Sequence, residues 1–349
     1  MSNNYFAINK DIKSVMKIGA NRTKDNIFLS FIVPTYLRVE TIGDTVNSIL
    51  NLNNLSNIRY EIIVIDNSGD ISDDNKTYQL LKNITCDCLY YFVNEENLGM
   101  EGNWNRGVEL AKGTYISFLH DDDLLDKDYL NNIIKCIDSI QEIDKLGFIK
   151  VSHRIFYSSK ELPTLKKEKK LLLPSTLFEA VLTGAGPTST PSCGIIFTKK
   201  AIRDIGGFDP QLYPVTDSAV GLYILDAGYL GFKTCSELGY YRIGVNESLN
   251  LSTIQSFVRM KVDVRKSSYK MVWYGRIYER LFEPVQYSVS IDFWVEYARE
   301  KCGQNISIED LDYQHSYRKR IIGKFVLKVL CKLYRVIIFH ESIIGRKMK

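Results

Sequence analysis

Three consecutive carboxylates, Asp121, Asp122 and Asp123, follow the apolar run Tyr115-Ile116-Ser117-Phe118-Leu119 and a histidine, His120. Three adjacent acids at the end of what reads as a buried strand repel one another, and a hard divalent cation relieves that repulsion. Asp oxygens suit Mg²⁺ or Mn²⁺, and an ion held by few protein groups completes its shell with water and phosphate oxygens. An acidic turn that caps the next helix is the ordinary alternative for these three residues alone. The strand ahead of them and the polar clusters elsewhere favour the ion.

Four further clusters have residue types that could do chemistry. Val33-Pro34-Thr35-Tyr36-Leu37-Arg38 would offer a hydroxyl and a cation to a nucleotide, or simply enter a helix with Thr35 as cap. In Val64-Ile65-Asp66-Asn67-Ser68-Gly69-Asp70, the acid at a strand end could accept from a base or ribose, or close an Asx turn on its own backbone. The stretch Asn94–Gly107 carries Asn97, Gly99 and Asn103 around a helix start, where free backbone amides suit an anion. Capping does not readily account for Trp104 and two asparagines in its first turns. Gly206-Gly207-Phe208-Asp209 is followed by Val215-Thr216-Asp217-Ser218. Asp217 opens a helix there, so capping suffices for it; the functional alternative is a general base beside an acceptor.

The elements that must position these clusters alternate in type. Strands are expected at Ile27–Val33, Tyr60–Asp66, Cys88–Val93, Thr114–Leu119, Gly147–Val151 and Gly194–Thr198, with helices near Val39–Leu52, Glu101–Lys112 and Lys127–Ile140. Strands rich in Ile, Val and Phe without clean alternation point to an α/β fold, a mostly parallel sheet flanked by helices. Ligands in such sheets bind at the carboxyl ends of strands, which is where Pro34–Arg38, Asp66–Asp70 and His120–Asp123 fall. Arg154–Pro174 reads as irregular and Gly184–Pro191 as a loop near a site. Past Leu251 the pattern turns helical, giving an N-terminal extension over 1–26, a catalytic domain over 27–250 and a helical region over 251–349.

At 349 residues and 45% hydrophobic content the chain can bury a substantial core, and a net charge of +4 is too small to argue for nucleic acid. Seven cysteines without zinc or disulfide spacing fit a reducing cytoplasm. Met1–Ala20 has no apolar core for a signal peptide, and no run is long enough for a membrane-spanning helix. From Lys319 to Phe339 there is no acid, and Lys324, Lys328, Lys332 and Arg335 line one stripe of a helix opposite a broad apolar arc. Such a helix can lie on an anionic membrane surface, here the inner face of the cell membrane, or pack on the catalytic domain.

The order Pro34-Thr35-Tyr36-x-Arg38, Val64-Ile65-Asp66-Asn67, Asn97-x-Gly99, Ala111-Lys112-Gly113-Thr114-Tyr115-Ile116, Leu119-His120-Asp121-Asp122-Asp123 and Gly206-Gly207-Phe208-Asp209 resembles glycosyltransferase family 2 over about Ile27 to Asn250. Leu37 stands where the family usually has Asn, and His120 where the acidic motif often begins with Asp. The resemblance implies a GT-A fold, a nucleotide-sugar donor, UDP-linked, and Mg²⁺ or Mn²⁺. It implies nucleotide contacts from Pro34, Thr35, Tyr36, Arg38, Asp66, Asn97, Gly99, Asn103 and Asp121, metal ligation by Asp122 and Asp123, and Asp217 as the base of an inverting transfer. The variants look like those of bacterial O-antigen and capsule enzymes, whose acceptor would be a glycan on a polyprenyl diphosphate.

Two rival classes have less behind them. A sugar-phosphate nucleotidyltransferase would need a Gly-rich loop after the first strand, and a dehydrogenase a G-x-G-x-x-G; neither is present. A carbohydrate-binding scaffold that kept the fold without turnover is the non-enzymatic alternative. Nucleic acid has only the basic C-terminal stretch in its favour and is not expected as a partner.

Overall fold

The run Leu29–Thr35 forms strand β2, and its successive side chains go to opposite faces of a sheet. Both faces are covered. Leu29, Phe31 and Val33 share one core with Ile62, Val64, Tyr91 and Val93, beneath Ile42, Val46 and Ile49 of helix α1 (Val39–Leu50). Ile32 shares the other with Ile63, Ile65 and Phe92, beneath Trp104, Val108 and Phe208. Burial on both sides is why these strands lack polar alternation.

The computed structural model describes residues 4–19, 26–183, 188 and 193–243, with scattered residues from Ser256 to Lys332. Its strands are β1 (Ser14–Ile18), β2, β3 (Tyr60–Asp66), β4 (Leu89–Asn94), β5 (Tyr115–Phe118), β6 (Leu124–Leu125), β7 (Leu146–Phe156), β8 (Leu172–Ser175), β9 (Ile195–Thr198) and β10 (Leu230–Arg242). The other helices are α2 (Lys76–Leu81), α3 (Gly99–Leu110), α4 (Tyr129–Asp138), α5 (Leu177–Thr183), α6 (Lys199–Asp204) and α7 (Thr216–Asp226). The strands form one sheet in the order β1-β4-β3-β2-β5-β9-β7-β10-β6, with β8 paired to β10. Its centre, β4-β3-β2-β5, is parallel. Beyond it, antiparallel β9 joins β5 to β7, and β7 runs parallel to β10.

Several expectations need amendment. Within the N-terminal extension, β1 pairs antiparallel with β4 and closes that edge of the sheet. β8 lies in the stretch read as irregular, and β10 is a long strand that no alternation announced. The sulfur atoms of Cys86 and Cys88 lie next to each other across Asp87. Apart from Thr188, the loop 184–192 lies outside the described residues, as does most of 244–349, including nearly all of the basic helix 319–339. Among the described residues no helix is long and apolar enough to cross a membrane.

A buried polar network ties the β1 edge to α3. Arg106, 9% exposed, donates from Nη1 to Ser14 Oγ at 2.6 Å and from Nη2 to the carbonyls of Asn9 and Ile12 at 2.9 and 2.8 Å. Ser14 Oγ in turn donates to Asn94 Oδ1 at 2.6 Å. One guanidinium thus satisfies two backbone carbonyls of the segment that leads into β1. Arg106→Leu strips those partners and is expected to lower unfolding free energy by roughly 2–4 kcal/mol, read from urea denaturation. An unchanged midpoint would mean that the β1–β4 ladder and the other contacts hold the N-terminal segment without Arg106.

Candidate active site

Sheet register brings the polar clusters together. Thr35 at the end of β2 pairs with Asp66 at the end of β3, and Phe118 at the end of β5 pairs with Ile32. Leu119 N donates to Ile32 O at 3.0 Å, after which the chain turns through His120–Asp123, closed by Asp123 N to His120 O at 3.2 Å. Three clusters separated in sequence therefore meet at the carboxyl edge of the parallel strands.

The acids are buried: Asp121 is 6% exposed, Asp122 2% and Asp123 0%. Thr35 Oγ1 donates to Asp121 Oδ2 at 2.7 Å, and Arg38 Nη1 reaches Asp121 Oδ1 at 3.0 Å and Asp122 Oδ2 at 2.8 Å. Burial pushes the Asp121 carboxyl up to about 6, against the pull of Arg38 and Thr35. Arg242, arriving from β10, donates its backbone N to Asp123 Oδ1 at 2.9 Å and its Nε to the Asp122 carbonyl at 2.8 Å. Burial, and then the Asp122 charge, hold Asp123 well above the ordinary carboxylate range. Two buried atoms, Asp123 Oδ2 and His120 Nε2, have no hydrogen-bond partner among the described residues. Together with Asp122 they form a group whose ligand atoms all lie within 4.8 Å of one another. The residues present fit a divalent cation, because orphaned buried acceptors are the groups an ion would satisfy. In the sequence His120 reads as part of the strand-end cluster and as a departure from an acidic motif, not as a ligand group.

The other expected nucleotide contacts divide into exposed and enclosed. Pro34 is partly buried, while Tyr36, Asn97 and Gly99 are exposed. Asp66 is enclosed: its carboxylate accepts from Ser68 N at 2.8 Å, Tyr91 Oη at 2.5 Å and Asn75 Nδ2 at 3.2 Å, so the Asx turn forms. Asn103 is a correction. It is 4% exposed, its Nδ2 donates to the Ile65 carbonyl at 3.1 Å, and its Oδ1 accepts from Asn94 at 2.8 Å. It fastens α3 to the end of β3 instead of facing a ligand. Asn67 continues the chain of amides, donating to Asn97 Oδ1 at 2.7 Å and accepting from Leu98 N at 2.9 Å.

Leu37 has φ +53 and is 69% exposed. A leucine in this left-handed region is crowded by its Cβ, whereas Asn tolerates it. That accounts for the asparagine common in the family motif. Leu37→Asn is expected to raise stability by about 0.5–1 kcal/mol, measured by thermal denaturation; a loss of stability would contradict the strain.

On the far side of α3, Asn105 clamps the glycine turn, accepting from Phe208 N at 2.8 Å and donating to Phe208 O at 2.9 Å. Gly207 has φ +92, and a Cβ there would stand 2.6 Å from Asn105 Oδ1, so glycine is required. Asp217 is not the cap of α7. Val215 holds that position, and Asp217 lies in the first helical turn, partly exposed. Its carbonyl accepts from Thr188 Oγ1. Thr216 donates to Glu101 Oε1 at 2.6 Å, and burial raises the Glu101 carboxyl above its usual range.

Lys150 of β7 is neighbour in register to Lys233, which pairs with Glu179 at 2.7 Å. Burial, reinforced by Lys233, pushes the Lys150 amine down from 10.5 to about 8, against Glu179 and Asp217. Between those two values the unfolded chain binds more protons than the folded one, so stability should rise with pH across that window. Lys150→Met is expected to abolish the rise and to stabilise the protein at neutral pH. Urea midpoints at both ends of the window check this, and identical pH profiles for variant and parent would refute it.

Residues 30–203 match the model of glycosyl transferase family 2. An uncharacterized glycosyltransferase of Rickettsia felis is 27% identical over 202 residues, covering 54% of this chain and 32% of that protein. Poly-beta-1,6-N-acetyl-D-glucosamine synthase of Staphylococcus aureus is 25% identical over 227 residues, covering 64% of this chain and 52% of that protein. The chain thus spans about a third to a half of the length of these relatives. Among solved structures, S. aureus TarS 1-349 gives a TM-score of 0.50 at 15% identity, over 81% of this chain and 89% of that one. Mannosyltransferase PcManGT from Pyrobaculum calidifontis, in complex with GDP-Man and Mn²⁺, gives 0.51 at 14%, over 92% and 85%. At such identities the two structures establish a shared fold.

Proposed function

The chain belongs to glycosyl transferase family 2, and we propose that it moves a hexose from a UDP-linked donor to a sugar acceptor with inversion at the anomeric carbon. The observation that carries this reading is the single hydrogen-bonded set of Thr35, Arg38, Asp121 and Asp122 at the carboxyl ends of parallel strands. The donor's nucleotide lies over the ends of β2 and β3, bordered by Pro34–Arg38 and by the exposed turn Asn97–Gly99. Asp66 supports the floor from below. A divalent ion held by Asp122 and Asp123 would supply positive charge to the diphosphate leaving group.

Asp217 is the proposed base. It stands partly exposed in the first turn of α7, where the helix dipole favours a carboxylate. The acceptor hydroxyl gives its proton to Asp217 as its oxygen attacks the anomeric carbon from the face opposite the nucleotide. One C–O bond forms while the bond to the diphosphate breaks, and the nucleoside diphosphate leaves. No covalent sugar–enzyme species is required.

For the acceptor we propose a glycan on a polyprenyl diphosphate, in synthesis of a bacterial surface polysaccharide of the O-antigen or capsule kind, on the cytoplasmic side of the membrane. The polysaccharide-synthase relative supports that setting. The proposed catalytic unit runs from the N-terminal edge strand to about residue 250, and the basic stretch 319–339 is proposed to meet the membrane. A screen of sugar nucleotides with Mn²⁺ or Mg²⁺, monitoring released nucleoside diphosphate, tests the activity; silence across all donors would end it. Asp217→Asn should keep donor affinity while turnover falls by about 10²–10⁴-fold. Undiminished turnover would remove Asp217 from this role.

A further inference from the structure

We propose that His120 is a third protein ligand to the cation, and that its nitrogen makes the site prefer Mn²⁺ to Mg²⁺. The inference rests on the metal-dependent reading above. The Nε2 atom of His120 is buried and has no hydrogen-bond partner among the described residues. A buried nitrogen left without a partner is costly, and an ion would supply the missing one. The ring is held in place: Trp104 stands 5.8 Å from it, tilted by 36°. The backbone bond from Asp123 N to His120 O folds the turn so that the first and last of its four residues come together.

The second orphan, Asp123 Oδ2, belongs to a side chain with no exposure at all. Its other oxygen is already engaged by Arg242 N at 2.9 Å, so the free one is the one left for an ion. His120, Asp122 and Asp123 offer their ligand atoms within 4.8 Å of one another. On an octahedral ion at about 2.1 Å, opposite ligands stand roughly 4.2 Å apart and adjacent ones roughly 3 Å, so the three groups draw together when they close on it. Asp121 is not part of it, since Thr35 and Arg38 occupy both of its oxygens.

The ligand chemistry then decides the metal. Mg²⁺ takes oxygen ligands and sheds water reluctantly. An imidazole nitrogen is a better ligand for first-row transition ions than for Mg²⁺, and Mn²⁺ is the one of them whose preference for carboxylate and water oxygens matches that of Mg²⁺. An all-carboxylate site would leave Mg²⁺ and Mn²⁺ nearly equivalent; one nitrogen separates them.

The test uses the full chain with UDP as the nucleotide, titrated with Mn²⁺ and Mg²⁺ by calorimetry, and pulsed electron paramagnetic resonance of the bound Mn²⁺. Nitrogen modulation should be present in the parent and lost in His120→Gln. Mn²⁺ should bind at least about tenfold tighter than Mg²⁺, the lower bound of what even outer-sphere partners contribute, and the variant should lose most of that margin with Mg²⁺ affinity unchanged. Bound Mn²⁺ without nitrogen modulation in the parent would overturn the role of His120 while leaving the metal-dependent reading intact, and needs no variant to fold. Modulation that persists in His120→Gln would also overturn it. Failure of Mn²⁺ to bind with UDP at all would remove both readings together.

Discussion

Three carboxylates in one buried turn repel one another strongly, since charge separation of a few ångströms in a low-dielectric interior is costly. This chain places a guanidinium on each side of them. Arg38 comes from the loop after β2 and its guanidinium binds Asp121 and Asp122; Arg242 comes from the end of β10, its guanidinium donating to the Asp122 carbonyl and its backbone N to Asp123. The two arginines do not exhaust the acids, as the orphaned oxygen of Asp123 shows. The fold therefore holds the turn in shape while leaving a deficit of positive charge at its centre. The positions of β2, β5 and β10 in the sheet follow from having to deliver these three pieces to one corner.

Around that corner the polar side chains act mostly as carpentry. The amides of Asn97, Asn67, Asn94 and Asn103 are linked in series from the exposed turn to the Ile65 carbonyl. Asn105, two residues further along α3, grips the Phe208 backbone instead. Helix α3 is thus pinned to the donor-side strands through Asn103 and to the glycine turn through Asn105. This explains why a helix beside a ligand site is so rich in asparagine. Buried amides with every donor and acceptor matched set geometry more sharply than apolar contacts do.

Much of this was legible in the residues. Tyr60–Asp66 was read as a strand with the bounds it has, and the three polar clusters fall at strand ends as the parallel pattern required. Other parts were hidden for physical reasons. Ser14–Ile18 is short and half-buried, and it is a strand because β4 offers it an edge, which no local pattern records. Residues Leu230–Arg242 carry bulges where they pair with β7, and these break the alternation by which a strand is recognised. Asn103 looked like a ligand group because a buried amide and an exposed one are the same letter in a sequence. His120 was undervalued for the converse reason: its missing hydrogen bond exists only in three dimensions.

Arg242 lies 119 residues beyond Asp123, and Tyr5 reaches across 204 residues to Asp209 at 2.7 Å. A chain emerging from the ribosome therefore exposes its acidic turn long before the second arginine exists to counter it. The parallel strands can associate early, but their charged corner stays open until β10 has been made and has docked beside β7. Assembly of such distant contacts is slow relative to local ones. The order of synthesis thus makes chemical competence wait on a strand made long after the acids it serves.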